Sequence, residues 1–298
     1  LPAIYSHLCY AADGRLPAPG ALGAMTQERS TESSTTLLFV QLEWLALTDE
    51  EARPVLESPA CAPFRHYLAS ARRYKPHTLS EAEERILEEK ANTGSRAMAR
   101  LFDELTSSLV FDVEVDGERR SLSESGVLAL LYEPRREVRR AAAASLTTGL
   151  RANRLVITSI FNTLVLDHAV DDRLRSFADP MQSRHLANEI RGEVVESLMD
   201  ACDAASGMVA DYYRLKRSLL GLDQLYDYDR YAPLPSAEAH MSWEESRALV
   251  LDAYGDFSPA MADVARLFFE RSWIDAEARD GKRGGAFSAS TVPSVHPY

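Results

Sequence analysis

His185 and Glu189 stand four residues apart, the spacing that puts two side chains on one helix face within reach of a single ion. His168 with Asp171 and Asp172 forms a second set of the same kind. Two ligands do not make a metal site, and polar pairs at this spacing are ordinary on helix surfaces, so the plainer reading is a surface pair in each case. No His-Glu-x-x-His run occurs in the 298 residues. Gly281-Lys-Arg-Gly-Gly285 offers glycines and cations for a phosphate, but the GxxxxGK[ST] spacing is absent, and the segment after Gly285 reads as a strand rather than a helix. Glycines before a strand are usually turn positions or places where another backbone passes close. Arg135, Arg136, Arg139 and Arg140 make a basic run, read as a solvated helix face neutralised by acidic residues rather than as an anion site. Tyr226, Tyr228 and Tyr231 around Asp227 and Asp229 have the chemistry to stack on a ligand. Beside a proline-ended connection they read better as packing anchors with hydrogen-bonded hydroxyls. No GxSxG occurs and no cysteine carries a local histidine signature.

The elements that must position these residues are mostly helical. Apolar residues recur at helical spacing from Leu1 to about Ala12, and a breaker run from Gly14 to Gly20 comes next. A long segment from about 21 to 46 is dense in Ser and Thr. Thr48-Asp-Glu-Glu51, Ser80-Glu-Ala-Glu83 and Ser242-Trp-Glu-Glu245 are capping boxes, each opening a helix. Pro63 and Ser258-Pro259 mark two further starts. Leu109 to Val115, Asp116-Gly117 and Glu118 to Leu122 read as a hairpin with one exposed face. Helix then runs nearly unbroken from Pro134 to about Phe177, and again from about Arg191 to Leu220 with Val194, Val195, Leu198, Met199 and Cys202 inward. A β segment is expected after Gly285. The fold class is mainly α, a multi-helix architecture with a small β-hairpin near 109–122 and a β segment at the C-terminus. A boundary is expected near Tyr74-Lys-Pro-His-Thr78, dividing the chain into regions 1–78 and 79–298.

Thirty-three Lys and Arg against 45 Asp and Glu give a formal charge of −12. That argues against a nucleic-acid or anionic-membrane partner, since both need a basic face. Cys9, Cys61 and Cys202 are too sparse and widely spaced for a disulfide framework, and read as buried or half-buried thiols of a reducing compartment. There is no uninterrupted apolar run of the length that spans a bilayer, about 18 residues. The first residues lack the pattern of a signal peptide. The expected setting is the cytoplasm.

Taken singly these features are weak; their order is specific. Tyr67-Leu68, His77-Thr-Leu-Ser-Glu-Ala-Glu83 and Leu101-Phe-Asp-Glu-Leu-Thr-Ser107 with its hairpin resemble the N-terminal domain of the oligoendopeptidase F family, the M3-type zinc oligopeptidases. Glu137-Val-Arg-Arg-Ala-Ala142, Arg175-Ser-Phe177, Tyr228-Asp-Arg-Tyr-Ala-Pro-Leu234 and Gly281-Lys-Arg-Gly-Gly-Ala-Phe-Ser288 look like later landmarks of the same family. The resemblance implies a mostly helical, channelled zinc peptidase acting on short peptides. It also implies a HExxH helix and a later glutamate, which hold zinc and activate a water. Neither lies within residues 1–298, so no residue here is carried over as a zinc ligand or as a catalytic group. The resemblance implies instead that Gly284, Gly285, Ala286 and Phe287, with His296 and Tyr298 nearby, belong to a wall along which substrate backbone pairs.

The expectation is thus the N-terminal, zinc-less portion of a zinc metalloendopeptidase, inactive alone and forming one side of the substrate channel. Its partners would be short peptides and the C-terminal half of the same polypeptide. The rival reading from the residues is a noncatalytic helical scaffold or interaction protein.

Overall fold

The computed structural model describes residues 2–14, 16–234, 241–277, 282 and 285–289. Helices α1 (Pro2–Ala12), α2 (Pro17–Ala46), α3 (Asp49–Glu57), α4 (Arg65–Arg72), α5 (Glu81–Ala91) and α6 (Ser95–Ser108) precede the strands β1 (Phe111–Val115) and β2 (Glu118–Leu122). After them come α7 (Glu124–Ala129), α8 (Arg136–Ala152), α9 (Arg154–Leu174), α10 (Gln182–Ala187), α11 (Gly192–Leu219), α12 (Trp243–Phe257) and α13 (Pro259–Glu270).

Helix starts obey local chemistry. Thr48, Ser80 and Ser242 sit in extended backbone before α3, α5 and α12. Each hydroxyl accepts from the amide three residues on, and Glu51, Glu83 and Glu245 return a bond to the cap amide. These reciprocal bonds satisfy amides that the first helical turn leaves without partners. The breaker run ends earlier than its prolines suggest: α2 begins at Pro17 and keeps Pro19 and Gly20 in its first turn. First-turn amides have no helical acceptor, so proline loses nothing there. Pro63 does not open a helix; it lies in a 3-10 segment, Pro59–Phe64, that leads into α4. Ser258 precedes α13 without making a side-chain cap bond.

The chain forms two compact units. The first comprises Leu1–Ala24, Glu104–Ala152 and Tyr213–Tyr298. Its core begins at the hairpin, where Phe111 pairs with Leu122 and Val115 with Glu118. Asp116 and Gly117 both take positive φ, 56° and 77°, the turn whose twist suits two antiparallel strands. Phe111, Val113 and Val115 point to the buried side against Val127 of α7 and Val138 and Ala142 of α8. On the other face, Asp112 accepts from Arg119 and Ser121 at 2.5 and 2.6 Å. Close approach is enforced at Gly149, where a β-carbon would lie 2.6 Å from Phe111 Cε1. Only glycine lets α8 meet that ring.

The second unit comprises Met25–Asp103 and Asn153–Tyr212. In the Ser/Thr-dense part of α2, the Ser33, Thr35 and Thr36 hydroxyls donate back to carbonyls of the preceding turn, at Arg29, Thr31 and Glu32. A helix interior thereby tolerates residues that otherwise favour caps and turns. Thr31 itself is buried and receives a bond from Asn92 at 3.0 Å. Trp44 Nε1 donates to the Leu68 carbonyl at 3.0 Å, and the Arg72 guanidinium lies 5.3 Å from the Trp44 ring.

The inward face expected on α11 is turned to solvent: Val194, Leu198, Met199 and Cys202 are exposed, Leu198 by 62%. Periodicity marks which residues share a face, not what covers it, and the described residues supply no cover. Cys9 and Cys61 are half-buried. Among the described residues no helix is long and apolar enough to cross a membrane.

Candidate functional site

Two ionic nodes, one buried and one half-buried, tie together segments that the sequence keeps far apart, one in each unit. In the first unit Asp229 is fully buried. Arg136 Nη2 and Arg139 Nη2 donate to its two carboxylate oxygens at 2.8 and 2.9 Å, and the Tyr226 amide adds a bond of 3.0 Å. Arg139, 3% exposed, spends its remaining donors on the carbonyls of Glu133, Pro134 and Tyr228. Burial pushes the Asp229 carboxyl up, but the bonds from Arg136, the Tyr226 amide and Arg139 outweigh it and hold it below the usual range. Arg136 lies 5.5 and 5.7 Å from the Tyr226 and Tyr228 rings, which stack at 5.3 Å. Tyr132 stacks on Tyr231 at 4.8 Å. The tyrosine rings thus stack on one another and on Arg136, but Tyr226 and Tyr231 stay exposed rather than packed inside. The basic run is divided: Arg135 pairs with Asp116 at the surface, whereas Arg139 is buried rather than solvated.

In the second unit Arg175 makes a two-pronged pair with Glu84, at 2.7 and 2.9 Å. His77 Nδ1 is 2.9 Å from the Arg175 carbonyl, and its ring stacks on Phe177 at 4.0 Å. Burial raises the Glu84 carboxyl, but hydrogen bonds from Arg175 and the Leu79 amide bring it below the usual range. Each node thus joins two of the motif blocks: 137–142 with 228–234, and 77–83 with 175–177.

Of the metal-spaced sets, Glu189 turns away to other partners, whereas His168 and Asp172 stay in contact. Glu189 does not share an ion with His185; it accepts from Ser70 at 2.8 Å and lies within 3 Å of both His66 and Arg73. His168 meets Asp172 at 3.3 Å and the Pro180 carbonyl at 3.0 Å, while Asp171 faces Arg175. Among the described residues no three His, Cys, Asp or Glu side chains gather as a metal site.

Of the residues expected along the substrate wall, Gly284, His296 and Tyr298 lie outside the described residues. Gly285 adopts φ +98° with open space where a β-carbon would stand. Ala286 is exposed, and Phe287, 56% exposed, tilts against His7 at 5.4 Å between ring centres. Residues 285–289 run without strand pairing among the described residues.

A cleft of about 1080 Å³ lies wholly within the second unit, lined by residues of α2, α4, α5, α6, α9 and α10. Trp44, Tyr67 and Tyr74 line it together with the ion pairs Glu84–Arg175 and Glu88–Arg96. Nothing in the spacing of motifs marks it, because its walls come from six separate helices.

Residues 43–111 match a family pattern described as Oligopeptidase F, and residues 129–298 one described as Peptidase family M3. The chain is 26% identical over 262 residues to group B oligopeptidase PepB of Streptococcus agalactiae, covering 87% of this chain and 43% of that one. It is 24% identical over 275 residues to oligopeptidase PepF of Bacillus subtilis, covering 90% and 40%. The structure of oligoendopeptidase-F from Enterococcus faecium shares the fold with a TM-score of 0.73 at 22% identity, over 94% of this chain and 60% of that one. The chain spans about two fifths of the length of these two curated relatives. With one of the two patterns running from residue 129 to residue 298, more than half of its length, the chain belongs to peptidase family M3.

Proposed function

We propose that this chain is the N-terminal portion of a cytoplasmic zinc metalloendopeptidase that hydrolyses short peptides. In this reading residues 1–78 are an N-terminal helical region, and residues 79–298 begin the peptidase domain. The observation that carries it is the family match over residues 129–298, in a chain that aligns with about two fifths of the oligopeptidases it resembles. The zinc ligands and the catalytic glutamate would come from polypeptide beyond residue 298, and this chain alone would be inactive. Gly284, Gly285, Ala286 and Phe287, with His296 and Tyr298, would line the substrate channel on this side. The exposed Phe287 ring and the open space at Gly285 support that placement.

The test compares this chain with a polypeptide extended beyond Tyr298, using quenched fluorescent peptides of a few residues and zinc stoichiometry by mass spectrometry. The extended form is expected to bind one zinc and cleave internal bonds, and the shorter chain to do neither. A zinc-loaded extended form that leaves every peptide intact would favour a noncatalytic scaffold. Phe287→Ala in the extended form should raise KM with little change in kcat. Gly285→Val is less clean, since its positive φ strains any branched side chain.

A further inference from the structure

Lys282 is set apart from a surface cation by how its ammonium group is used. The side chain is only 17% exposed. Its Nζ donates to the main-chain carbonyls of Asp275 at 2.7 Å and Glu277 at 2.8 Å, and lies 3.1 Å from the Asp275 carboxylate. An ammonium carries three hydrogens, so three acceptors fix its direction and leave none for a phosphate. The acceptors are themselves tied to the end of α13. Ser272 turns the chain with φ +54°, the Trp273 amide donates back to the Phe268 carbonyl at 2.9 Å, and the two rings meet edge to face at 5.3 Å. Beyond Lys282 comes the segment 285–289, which pairs with no strand among the described residues. Within it the Phe287 ring rests against His7 of α1.

A segment without ladder bonds keeps one course only where side chains hold it, because each unfixed residue retains its backbone entropy. Lys282 on one side and Phe287 on the other supply such holds, with the bend at Gly285, φ +98°, between them. We propose that Lys282 is a positioning residue. By clamping the carbonyls of Asp275 and Glu277 it presents Gly285, Ala286 and Phe287 to substrate in a fixed course, without touching substrate itself. The inference rests on the proposed channel wall and adds the group that holds that wall in place. A wall fixed beforehand need not be ordered when a peptide binds, whereas a loose one must be ordered at each encounter. Removing the clamp therefore weakens binding and leaves the chemical step, assigned above to groups beyond residue 298, as it was.

In the polypeptide extended beyond Tyr298, Lys282→Met should raise KM for a quenched peptide about five- to thirtyfold, the equivalent of ordering one residue on binding. Zinc content and kcat should hold. Lys282→Arg should restore most of the parent KM, because a guanidinium also donates to several oxygens. Asp275→Asn keeps both carbonyls and should shift KM less than Lys282→Met does. Lys282 lies outside the helices and the hairpin, so these changes spare the core. A second measurement uses the 298-residue chain. Chymotrypsin should cut after Phe287 faster in Lys282→Met than in the parent, read by mass spectrometry of the released fragment 288–298. A Lys282→Met enzyme with the parent KM, or cleavage after Phe287 at the parent rate, overturns the assignment. So does a joint loss of kcat and zinc, which would mark a general role in folding. An extended parent that hydrolyses no peptide sinks the peptidase reading instead, and is told apart by the parent's own inactivity. The rate of cleavage after Phe287 then decides alone whether Lys282 holds the segment.

Discussion

Arg139 and Asp229, ninety residues apart in sequence, meet at 2.9 Å with 3% and 0% of their side chains exposed. A charge so enclosed is tolerable only with its partner present. Asp229→Ala is expected to cost about 3–5 kcal/mol, because the Arg139 guanidinium would remain buried without a carboxylate. A fall in urea midpoint with an unchanged m-value would check it. Arg139→Met combined with Asp229→Leu should recover part of the loss: it removes the stranded charge, but leaves Arg136, the Tyr226 amide and the carbonyls of Glu133, Pro134 and Tyr228 without these partners. If the double variant is no better than the single one, the cost lies elsewhere than in the stranded charge.

Acid should weaken both nodes. Asp229 and Glu84 are held below their usual ranges in the folded chain, so the unfolded state takes up protons first as pH falls. Their stabilisation is complete above the unfolded carboxylate values, about 3.9 for Asp and 4.3 for Glu. It is lost as pH drops through the lower folded values. The midpoint of urea unfolding should therefore fall below about pH 4, and the fall should be shallower in an Arg139→Met, Asp229→Leu chain.

Gly149→Ala tests the approach of α8 to the hairpin. The added methyl would stand 2.6 Å from Phe111 Cε1, so the ring or the helix must move. A loss of about 1–3 kcal/mol is expected despite the better helix propensity of alanine. Phe111→Leu should make the second change nearly harmless, which a double-mutant cycle in thermal unfolding would show.

Arg175→Lys is expected to destabilise the second unit despite conserving charge. Lysine cannot reproduce the two parallel bonds to Glu84 or the further bond to the His77 carbonyl. The change should appear as loss of amide protection around residues 77–84 in hydrogen exchange. Unchanged protection there would remove Arg175 as the fastening group.

The helices and the hairpin were legible because their signals are local. A hydroxyl at 48, 80 or 242 and a glutamate three residues on suffice to open a helix, and Asp116-Gly117 suffices to close the strands. What stayed hidden depends on distant partners. Nothing near Glu189 announces His66 and Arg73, and the apolar stripe of α11 gave no hint that Leu198 faces water. The acidic residue among the tyrosines was visible, but its partner Arg139 looked like one more surface cation. The cleft shared by α2, α4, α5, α6, α9 and α10 could not be seen at all, since no single segment carries it.

The ninety-residue separation of Arg139 and Asp229 also orders events in time. The hairpin, α7 and α8 lie within about forty residues and can collapse on one another as soon as they leave the ribosome. Asp229 is made only after α9, α10 and α11, so for that interval Arg139 has no carboxylate to bury against and must stay hydrated. The α8 end of the nascent core is therefore expected to close on the arrival of the segment 226–234 rather than with the folding of the hairpin.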